Sequence, residues 1–500
     1  MRASRRIAAF AAGLALAAAA ACVSAPPIRE HLAQADAASA SSNRVPRIAT
    51  PHGFLTHAES EHVLAELRAR SPDTTVLDRH LAIEQALADT PLSTGNRATL
   101  LQDGAATYPA MLDAIRHAKS FVHIEMYIFE GDEVGRAFAD ALIARRRAGV
   151  EVRILYDGVG SLDVPREFWE GLKREGIEVL AYNPLSPGEV VKKGAALDHR
   201  DHRKLMVVDG RVAFVGGINI THVYGPVPRG PGGSAPSGGA SGSSSSSGSS
   251  ALSGSSGKNA DQKAKEPIEE RPWRDTQVEL EGPVVAQLEK LFLEQWARQR
   301  KRPAETDARY FPQLAAAGHE IVRAIPGTPD DGVDAAYVAL VSAIENAESR
   351  VRITNAYFVP AKELREALEA AARRGVDVRL VLPSHSDTKF VIEVSRSYYE
   401  DLLESGVRIF ERQDRLLHAK TATIDGAWST VGSTNLDYRS LSHNDELNVV
   451  VLGPDFAVRM EEAFANDVAH SREVTREAWR HRSLSERLHE WIARCSALFL

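Results

Sequence analysis

The sequence predicts an α/β protein made of two duplicated halves, with mostly parallel β-sheets packed about a pseudo-twofold axis. Short β-branched runs alternate with amphipathic helical segments along most of the 500 residues, a pattern typical of βαβ units. The pattern also occurs twice, so that segments of the first half have counterparts in the second. The matching pairs are 114–129 with 343–359, 148–158 with 374–384, and 175–185 with 405–414. We therefore expect equivalent strand ends of the two halves to meet.

Residues 1–22 have the composition of a secretory signal rather than of a folded domain. Arginines precede an apolar, alanine-rich stretch over residues 7–21, and Cys22 follows it. The stretch is shorter than the about 20 apolar residues that a membrane span requires. The letters AAAC resemble a bacterial lipobox, which implies lipid attachment at Cys22; cleavage at an Ala-x-Ala site or an uncleaved anchor is the alternative. Because Cys495 is the one other cysteine, a lipidated Cys22 leaves no intrachain disulfide.

The remaining chain divides into four segments. They are an N-terminal extension (23–95), a first half (96–305), a second half (306–475) and a C-terminal amphipathic helix (476–500). Residues 226–267 of the first half consist largely of glycine, serine and proline, which predicts a disordered surface insert. The C-terminal segment places Leu484, Leu488 and Trp491 on one helical face. Such a face fits either the protein's own core or a membrane interface.

The pattern His-x-Lys-x4-Asp occurs once in each half. Its members are His202, Lys204 and Asp209 in the first copy, and His418, Lys420 and Asp425 in the second. Each copy is followed by a GGIN or GSTN segment, which ends in Asn219 or Asn435. Because strand side chains alternate between faces, the spacing predicts that each histidine projects to the same side as its lysine. The repetition predicts one site built from two halves.

The residue types of the repeated motif fit an anionic phosphodiester. Lysine ammonium groups and asparagine amides can hold the non-bridging oxygens as the phosphorus becomes five-coordinate. One imidazole can attack phosphorus while the other protonates the leaving alcohol. An unperturbed histidine has a pKa near 6.5, so either role is available at neutral pH. The motif thus predicts phosphoryl-group chemistry without deciding which histidine attacks.

Residues 100–472 resemble the phospholipase D superfamily, whose defining mark is a duplicated His-x-Lys-x4-Asp motif. The segments NAYFVP, LLHAKTATID and VGSTNLDYRSLSHNDELNVV are similar in particular to bacterial cardiolipin synthases. The resemblance implies one active site shared by both halves, no metal or other cofactor, and a covalent phosphohistidine intermediate. It makes His202 the nucleophile and His418 the general acid and then base. Asp209 and Asp425 belong to the motif and are expected to brace its turns.

The resemblance also implies an acidic residue after each motif that orients a catalytic imidazole. Glu446 fits this role in the second half, and Asp275 is its counterpart in the first. A carboxylate bonded to one ring nitrogen fixes the tautomer and supports the imidazolium. A solvated surface charge is the alternative for either acid. The predicted substrate-site residues are Asn219, Asn435, Ser433, Asp275 and Glu446.

The sequence predicts a lipid-modified, exported phosphatidyltransferase of cardiolipin-synthase type. A phospholipid would transfer its phosphatidyl group to His202, and the glycerol head of phosphatidylglycerol would accept it. A phospholipase D that uses water is the first alternative, followed by a nuclease and a non-enzymatic envelope scaffold. The net charge of −7 disfavours nucleic acid as a partner, and the intact motifs disfavour the scaffold. The predicted partners are phospholipids and a membrane surface of the bacterial envelope, outside the cytoplasm. The oligomeric state and the membrane that holds the anchor stay open.

Overall fold

A computed structural model describes residues 46–72, 90–184, 198–227, 267–328 and 334–483, with a few isolated positions besides. The predicted signal segment, most of the insert 226–267 and most of the C-terminal segment 476–500 lie outside the described residues, as do Cys22 and Cys495. Among the helices that the structure describes, none is both long enough and apolar enough to cross a bilayer.

The N-terminal extension packs on the second half of the molecule. Its elements are β1 (Ile48–Thr50), β2 (Gly53–Phe54) and α1 (His57–Arg70). Thr56 caps the N-terminus of helix α1, and its hydroxyl and backbone N–H form a capping box with Glu59. Leu64 and Leu67 of this helix are buried in a cluster that includes Leu452 of the second half. The extension therefore contributes to the core of a half from which it is distant in sequence.

The first half is an α/β unit with a mixed sheet. In spatial order, its strands are β3 (Leu92–Gln102), β10 (Thr276–Glu281), β9 (Val212–Gly216), β8 (Lys204–Val208), β4 (Phe121–Met126), β5 (Glu151–Asp157) and β6 (Glu178–Tyr182). Its helices are α2 (Asp103–His117), α3 (Glu133–Arg147), α4 (Arg166–Arg174) and α5 (Val284–Arg300). Strand β3 thus begins within the segment predicted as the N-terminal extension.

The second half repeats this strand order. Its strands are β11 (Glu320–Gly327), β17 (Asn444–Leu452), β16 (Trp428–Gly432), β15 (Lys420–Ile424), β12 (Arg350–Asn355), β13 (Asp377–Pro383), β14 (Arg408–Arg412) and a further edge strand, β18 (Ser471–Val474). Its helices are α6 (Ala335–Glu345), α7 (Lys362–Arg373), α8 (Lys389–Arg396), α9 (Tyr399–Ser405), α10 (Tyr438–Ser442), α11 (Pro454–Ala469) and α12 (Arg476–Arg480). The repeated order confirms the prediction of two duplicated α/β halves.

Fewer of the strand pairs are parallel than the sequence predicted. Within the described residues, the parallel runs of the two halves are β4–β5–β6 and β12–β13–β14. The motif strands β8 and β15 instead pair antiparallel on both sides. The reason is that each motif strand continues into the next strand through a tight turn, which joins antiparallel neighbours without a crossover helix.

The two halves share strand pairing and core. Strand β11 of the second half pairs antiparallel with β3 of the first. A short strand, β7 (Arg200–Asp201), pairs parallel with the start of β17. Phe292 of α5 is buried in one cluster with Val322 and Val449 of the second half. The interface therefore contains a shared hydrophobic core, which fixes the position of one half against the other.

Candidate active site

The two histidines of the repeated motif line one cleft of about 450 Å³. His202 belongs to the first half and His418 to the second, and each side chain is 10% exposed. Asn219 and Asn435 line the same cleft. The fold thus brings the predicted residues of both copies to a single site at the interface between the halves.

Each histidine lies just before its motif strand rather than on it. Strand β8 begins at Lys204 and β15 begins at Lys420. The backbone N–H of His202 donates to the carbonyl of Asp445 at 2.9 Å, and the N–H of His418 donates to the carbonyl of Arg274 at 2.7 Å. The sequence analysis placed each histidine on the same strand as its lysine, and this prediction is wrong. The backbone of each histidine bonds to the opposite half and not to the neighbouring strand of its own sheet.

Each histidine contacts the candidate orienting acid of the opposite half. Nδ1 of His202 lies 3.0 Å from both carboxylate oxygens of Glu446, which belongs to the second half. Nδ1 of His418 lies 2.7 Å from Oδ2 of Asp275, which belongs to the first half. Both carboxylates are fully buried. Because each acid holds Nδ1, the Nε2 atom of each ring is the nitrogen left for chemistry.

Glutamate is one methylene longer than aspartate, and a different residue faces each of the two acids. Ser433 donates its hydroxyl to Oε2 of Glu446 at 2.5 Å, and Ser440 donates to Oε1 at 2.7 Å. Gly217 is the counterpart of Ser433, and a Cβ added there would lie 2.2 Å from a carboxylate oxygen of Asp275. The shorter acid therefore requires glycine at this position, whereas the longer acid is held by a serine.

The motif lysines lie beneath the cleft and touch their own histidines. Lys204 is fully buried, and its Nζ donates to the carbonyl of His202 at 2.5 Å. Lys420 is also buried; its Nζ lies 2.9 Å from Nδ1 of His418 and also donates to the carbonyl of His418. The Lys204 ammonium group further lies over the Tyr127 ring, 5.0 Å from its centre. The two ammonium groups therefore bring positive charge close to both imidazoles.

The asparagines of the GGIN and GSTN segments are held differently. Oδ1 of Asn219 accepts from the backbone N–H of Ile128 at 3.0 Å, which leaves its amide NH2 directed to the Tyr224 hydroxyl at 3.3 Å. The backbone N–H of Asn435 donates to Ser440 Oγ at 3.1 Å. Its side-chain Oδ1 is buried without a hydrogen-bond partner in the part of the chain that the structure describes.

The motif aspartates lie at the strand turns, away from the cleft lining. Both have left-handed backbones, with φ of 54° at Asp209 and 52° at Asp425. The carboxylate of Asp209 accepts from the backbone N–H groups of Lys119, Ser120 and Phe121 at 2.7–2.9 Å. Asp425 makes the equivalent contacts with the chain just before β12. This geometry ties each motif turn to the start of the neighbouring strand.

Aromatic residues that the sequence did not single out surround the histidines. The Tyr224 hydroxyl lies 3.1 Å from Nδ1 of His418. The ring of Trp273 lies 5.5 Å from that of His418, and the ring of Tyr127 lies 4.9 Å from that of His202. Tyr224 occupies the repeat position of Ser440, so the repeat pattern gave no signal for it. The surroundings of the two histidines are therefore not equivalent.

Burial shifts the pKa values of the charged groups toward their neutral forms. Burial and the Lys204 ammonium group hold the pKa of His202 well below its usual value. Burial and Lys420 also lower the pKa of His418, although Asp275 acts in the opposite direction. Burial lowers the pKa of Lys204 to about 7 and that of Lys420 to about 8, and raises that of Glu446 to about 7. A bound anion would favour the protonated lysines.

A second buried charge cluster lies behind His202. Arg203, which separates the motif histidine from its lysine, is 3% exposed. Its guanidinium lies 3.7 Å from Glu125 and 4.0 Å from Asp445, and its Nε donates to the Glu446 carbonyl at 3.1 Å. The same position of the second motif is Ala419, so this cluster is present on one side of the site. It anchors the backbone of the Glu446 strand beside His202.

Comparison with known proteins identifies the domain type. A family model described as a cardiolipin synthase, phospholipase D-like domain matches residues 111–224 and 340–468. A probable cardiolipin synthase of Bacillus subtilis is 29% identical over 437 residues, which cover 85% of this chain and 78% of the relative. A cardiolipin synthase of Alkalihalophilus pseudofirmus is 29% identical over 409 residues, which cover 82% of this chain and 73% of the relative. The two segments of the family match include both motifs.

A solved structure supports the fold independently. The phosphatidylserine synthase of Haemophilus influenzae matches with a TM-score of 0.57 at 12% identity. The match covers 85% of this chain and 100% of that one. At this identity, the likeness concerns the arrangement of the two α/β halves.

Proposed function

Because the chain belongs to the phospholipase D superfamily and is a phosphatidyltransferase of that superfamily, we propose that it makes cardiolipin from two phosphatidylglycerol molecules. The observation that supports this most directly is the pair of exchanged contacts, His202–Glu446 and His418–Asp275, across one cleft. Two imidazoles held at Nδ1 offer two Nε2 atoms to one substrate. Such an arrangement suits a reaction in two steps with one nucleophile and one acid–base group.

In the first proposed step, Nε2 of His202 attacks the phosphorus of the donor lipid. The P–N bond forms, the P–O bond to the glycerol head breaks, and Nε2–H of His418 gives its proton to the leaving oxygen. The ammonium groups of Lys204 and Lys420, with the side chains of Asn219 and Asn435, stabilise the non-bridging oxygens. The products of this step are free glycerol and a phosphatidyl group on His202.

In the second proposed step, the head-group hydroxyl of another phosphatidylglycerol attacks the same phosphorus. Nε2 of His418, now neutral, takes the hydroxyl proton, and the P–N bond to His202 breaks. Cardiolipin is released, and both histidines return to their starting protonation states. The reaction uses no metal or organic cofactor. Water in place of the second lipid would give phosphatidic acid, the product of a phospholipase D.

The assignment of roles rests on the unequal surroundings of the histidines. A nucleophile must be neutral, and burial beside Lys204 holds the pKa of His202 well below its usual value. An acid must hold a proton; burial and Lys420 lower the pKa of His418, and the Asp275 carboxylate bonded to its Nδ1 opposes that shift. These opposed influences favour His202 as the nucleophile and His418 as the acid.

The test is to incubate the purified protein with phosphatidylglycerol labelled in its acyl chains and in its glycerol head. Cardiolipin with an equal amount of free labelled glycerol is the expected result. Phosphatidic acid as the sole lipid product would show that the protein is a hydrolase and not a synthase. The His202→Ala and His418→Ala variants are the controls, and acyl label bound covalently to protein should appear in the wild type and be absent from His202→Ala.

We also propose that lipid on Cys22 anchors the enzyme at the bacterial cell envelope, with the α/β halves outside the cytoplasm. Several acyl chains on one residue hold a protein to a bilayer far more firmly than one chain, since each buried methylene contributes about 0.8 kcal/mol. Mass spectrometry of the mature N-terminal peptide should show acyl chains on Cys22, and Cys22→Ser should abolish them. A mature N-terminus at another residue would contradict the anchor and leave the enzymatic proposal standing.

A further inference from the structure

Two exposed apolar side chains belong to residues that neighbour, in sequence, residues lining the active-site cleft. Leu162 is 61% exposed and Phe390 is 38% exposed. Leu162 follows Val159 and Gly160, which line the cleft from the first half. Phe390 lies between Thr388 and Val391, which line it from the second half. Each half thus places one large apolar side chain next to cleft-lining residues. We call these two residues the cleft rim.

The two members of the cleft rim follow equivalent strands. Leu162 lies in the connection after β5, and Phe390 lies at the beginning of α8, after β13. Strands β5 and β13 are the middle strands of the parallel runs in their halves. The carboxyl ends of parallel strands face one edge of a sheet, where ligands bind in such folds. Each half therefore contributes one member after the strand end that faces this edge.

Single exposed apolar side chains are common on soluble proteins and by themselves indicate no partner. The cleft rim differs because its members come from both halves and adjoin the site that would receive a lipid. Phe54 and Val458 are also exposed, at 51% and 55%, and neither adjoins a cleft-lining residue. These two residues supply the comparison for an experiment.

We propose that the cleft rim, Leu162 and Phe390, inserts into the surface of a phospholipid bilayer and holds the cleft mouth against the head groups. The proposal rests on the proposed function, because it assigns the surface through which that substrate arrives. The cleft of about 450 Å³ is the size of a site for a head group and its phosphate. The acyl chains then remain in the bilayer, where their methylenes stay out of water.

The geometry also explains why the rim is apolar on both sides. One lipid reaches His202 as donor and a second must follow it as acceptor, so the cleft has to stay at the bilayer surface through both steps. A rim with one apolar anchor would allow the protein to tilt about it, whereas two anchors on opposite sides of the cleft define its orientation.

The first test measures insertion without requiring catalysis. Leu162→Cys, Phe390→Cys and the control Val458→Cys are each made in the full chain with Cys22→Ser and Cys495→Ser, and are labelled with a polarity-sensitive fluorophore. On vesicles of phosphatidylglycerol and phosphatidylethanolamine, the probes at 162 and 390 should shift to the emission of an apolar environment, and the probe at 458 should not. Unchanged emission at both rim positions would overturn the proposal, whatever the enzyme's products.

The second test separates docking from chemistry. Leu162→Asp and Phe390→Asp should each reduce turnover of vesicle phosphatidylglycerol by about tenfold or more, since each removes a large apolar side chain from the interface. Turnover of a short-chain, monomeric phosphatidylglycerol should fall by less than about twofold, and Val458→Asp should change neither rate. Equal losses on both substrates would show a structural role and overturn docking. If no lipid is turned over by the wild type, the proposed function fails, and the fluorescence result still decides docking.

Discussion

Both carboxylate oxygens of Glu446 lie 3.0 Å from Nδ1 of His202, although the two residues are 244 positions apart and belong to different halves. The reciprocal contact joins His418 to Asp275 at 2.7 Å. Neither half alone therefore contains an imidazole together with its orienting acid. The duplication does not provide two independent sites, and each half completes the site of the other.

The exchanged contacts predict which acid controls which imidazole. Asp275→Asn should lower the pKa of His418, because it removes the carboxylate that supports the imidazolium, and should leave the pKa of His202 nearly unchanged. Turnover should fall by at least about 100-fold, as when the acid of a catalytic triad is replaced by its amide. Histidine resonances, assigned with His202→Ala and His418→Ala, report both titrations. A shift confined to His202 would contradict the exchanged arrangement.

The buried lysines predict the alkaline side of the pH profile. Burial lowers the pKa of Lys204 to about 7 and that of Lys420 to about 8, so both ammonium groups lose their charge as the pH rises through this range. Because the neutral amines no longer attract the phosphodiester, kcat/KM should decline above about pH 7 to 8. Lys204→Arg should move the decline to higher pH, whatever its effect on the maximum rate, since arginine stays protonated. An unmoved alkaline limb in Lys204→Arg would refute this assignment.

We predict that replacing Glu446 by glutamine stabilises the folded protein and lowers its activity. Burial raises its pKa from 4.5 to about 7 in the folded protein. When a carboxyl group has a higher pKa in the folded than in the unfolded protein, its protonation stabilises the folded state. This contribution is complete below the pKa of the unfolded state and is lost as the pH rises through the pKa of the folded state. Glu446→Gln should therefore gain stability over the wild type between pH 4.5 and 7, reaching about 3 kcal/mol. Denaturant unfolding at a series of pH values measures the difference.

The control for this prediction is Glu404→Gln, because Glu404 is exposed and accepts from Arg476 and Arg480 at the surface. Its stability difference from the wild type should not grow between pH 4.5 and 7. The Glu446→Gln variant should at the same time lose most of its turnover, since His202 loses its carboxylate partner. A stability gain that is the same at every pH would rule out the titration of Glu446 as its cause.

Tyr224 is predicted to position His418. Tyr224→Phe removes the hydroxyl 3.1 Å from Nδ1 of His418 and keeps the ring that packs against Trp273. The expected result is a fall in kcat of about tenfold, because His418 loses a hydrogen bond and the Asn219 amide loses its hydroxyl partner. The matched control is Tyr438→Phe, whose ring lies near His443 and outside the cleft lining. Equal effects of the two variants would exclude a specific role for Tyr224.

The glycine- and serine-rich insert is predicted to be dispensable. Deleting residues 234–256, which lie outside the described residues, and joining the ends with a short linker should leave turnover and thermal stability nearly unchanged. The reason is that the entropy of closing a flexible loop changes slowly with its length, by about 0.6 kcal/mol for each doubling. Thermal unfolding and the vesicle assay measure both properties. A large loss of either would show that the segment contacts the fold or the substrate.

The sequence predicted the duplicated α/β architecture because the patterns that indicate it are local. Hydrophobic periodicity, turn residues and the repeated His-x-Lys-x4-Asp motif are each contained within short segments, and their second occurrence after a long interval reveals the duplication. Histidine, lysine and asparagine of each copy were identified in the same way, and all contribute to one cleft or lie directly beneath it. The extent of parallel pairing was overestimated, because alternating strands and helices do not reveal the hairpins at Asp209 and Asp425.

The tertiary structure decided which residues act together across the interface. Whether Glu446 faces His202 or His418 depends on which strand of the opposite half lies beside each histidine, and that follows from the hydrogen bond between the His202 N–H and the Asp445 carbonyl. Tyr224, the cleft rim and the packing of the N-terminal extension on the second half are long-range results of the same kind. Local sequence determines the elements and the chemical groups on them, whereas the shared hydrophobic core fixes the distances between groups that no local pattern relates.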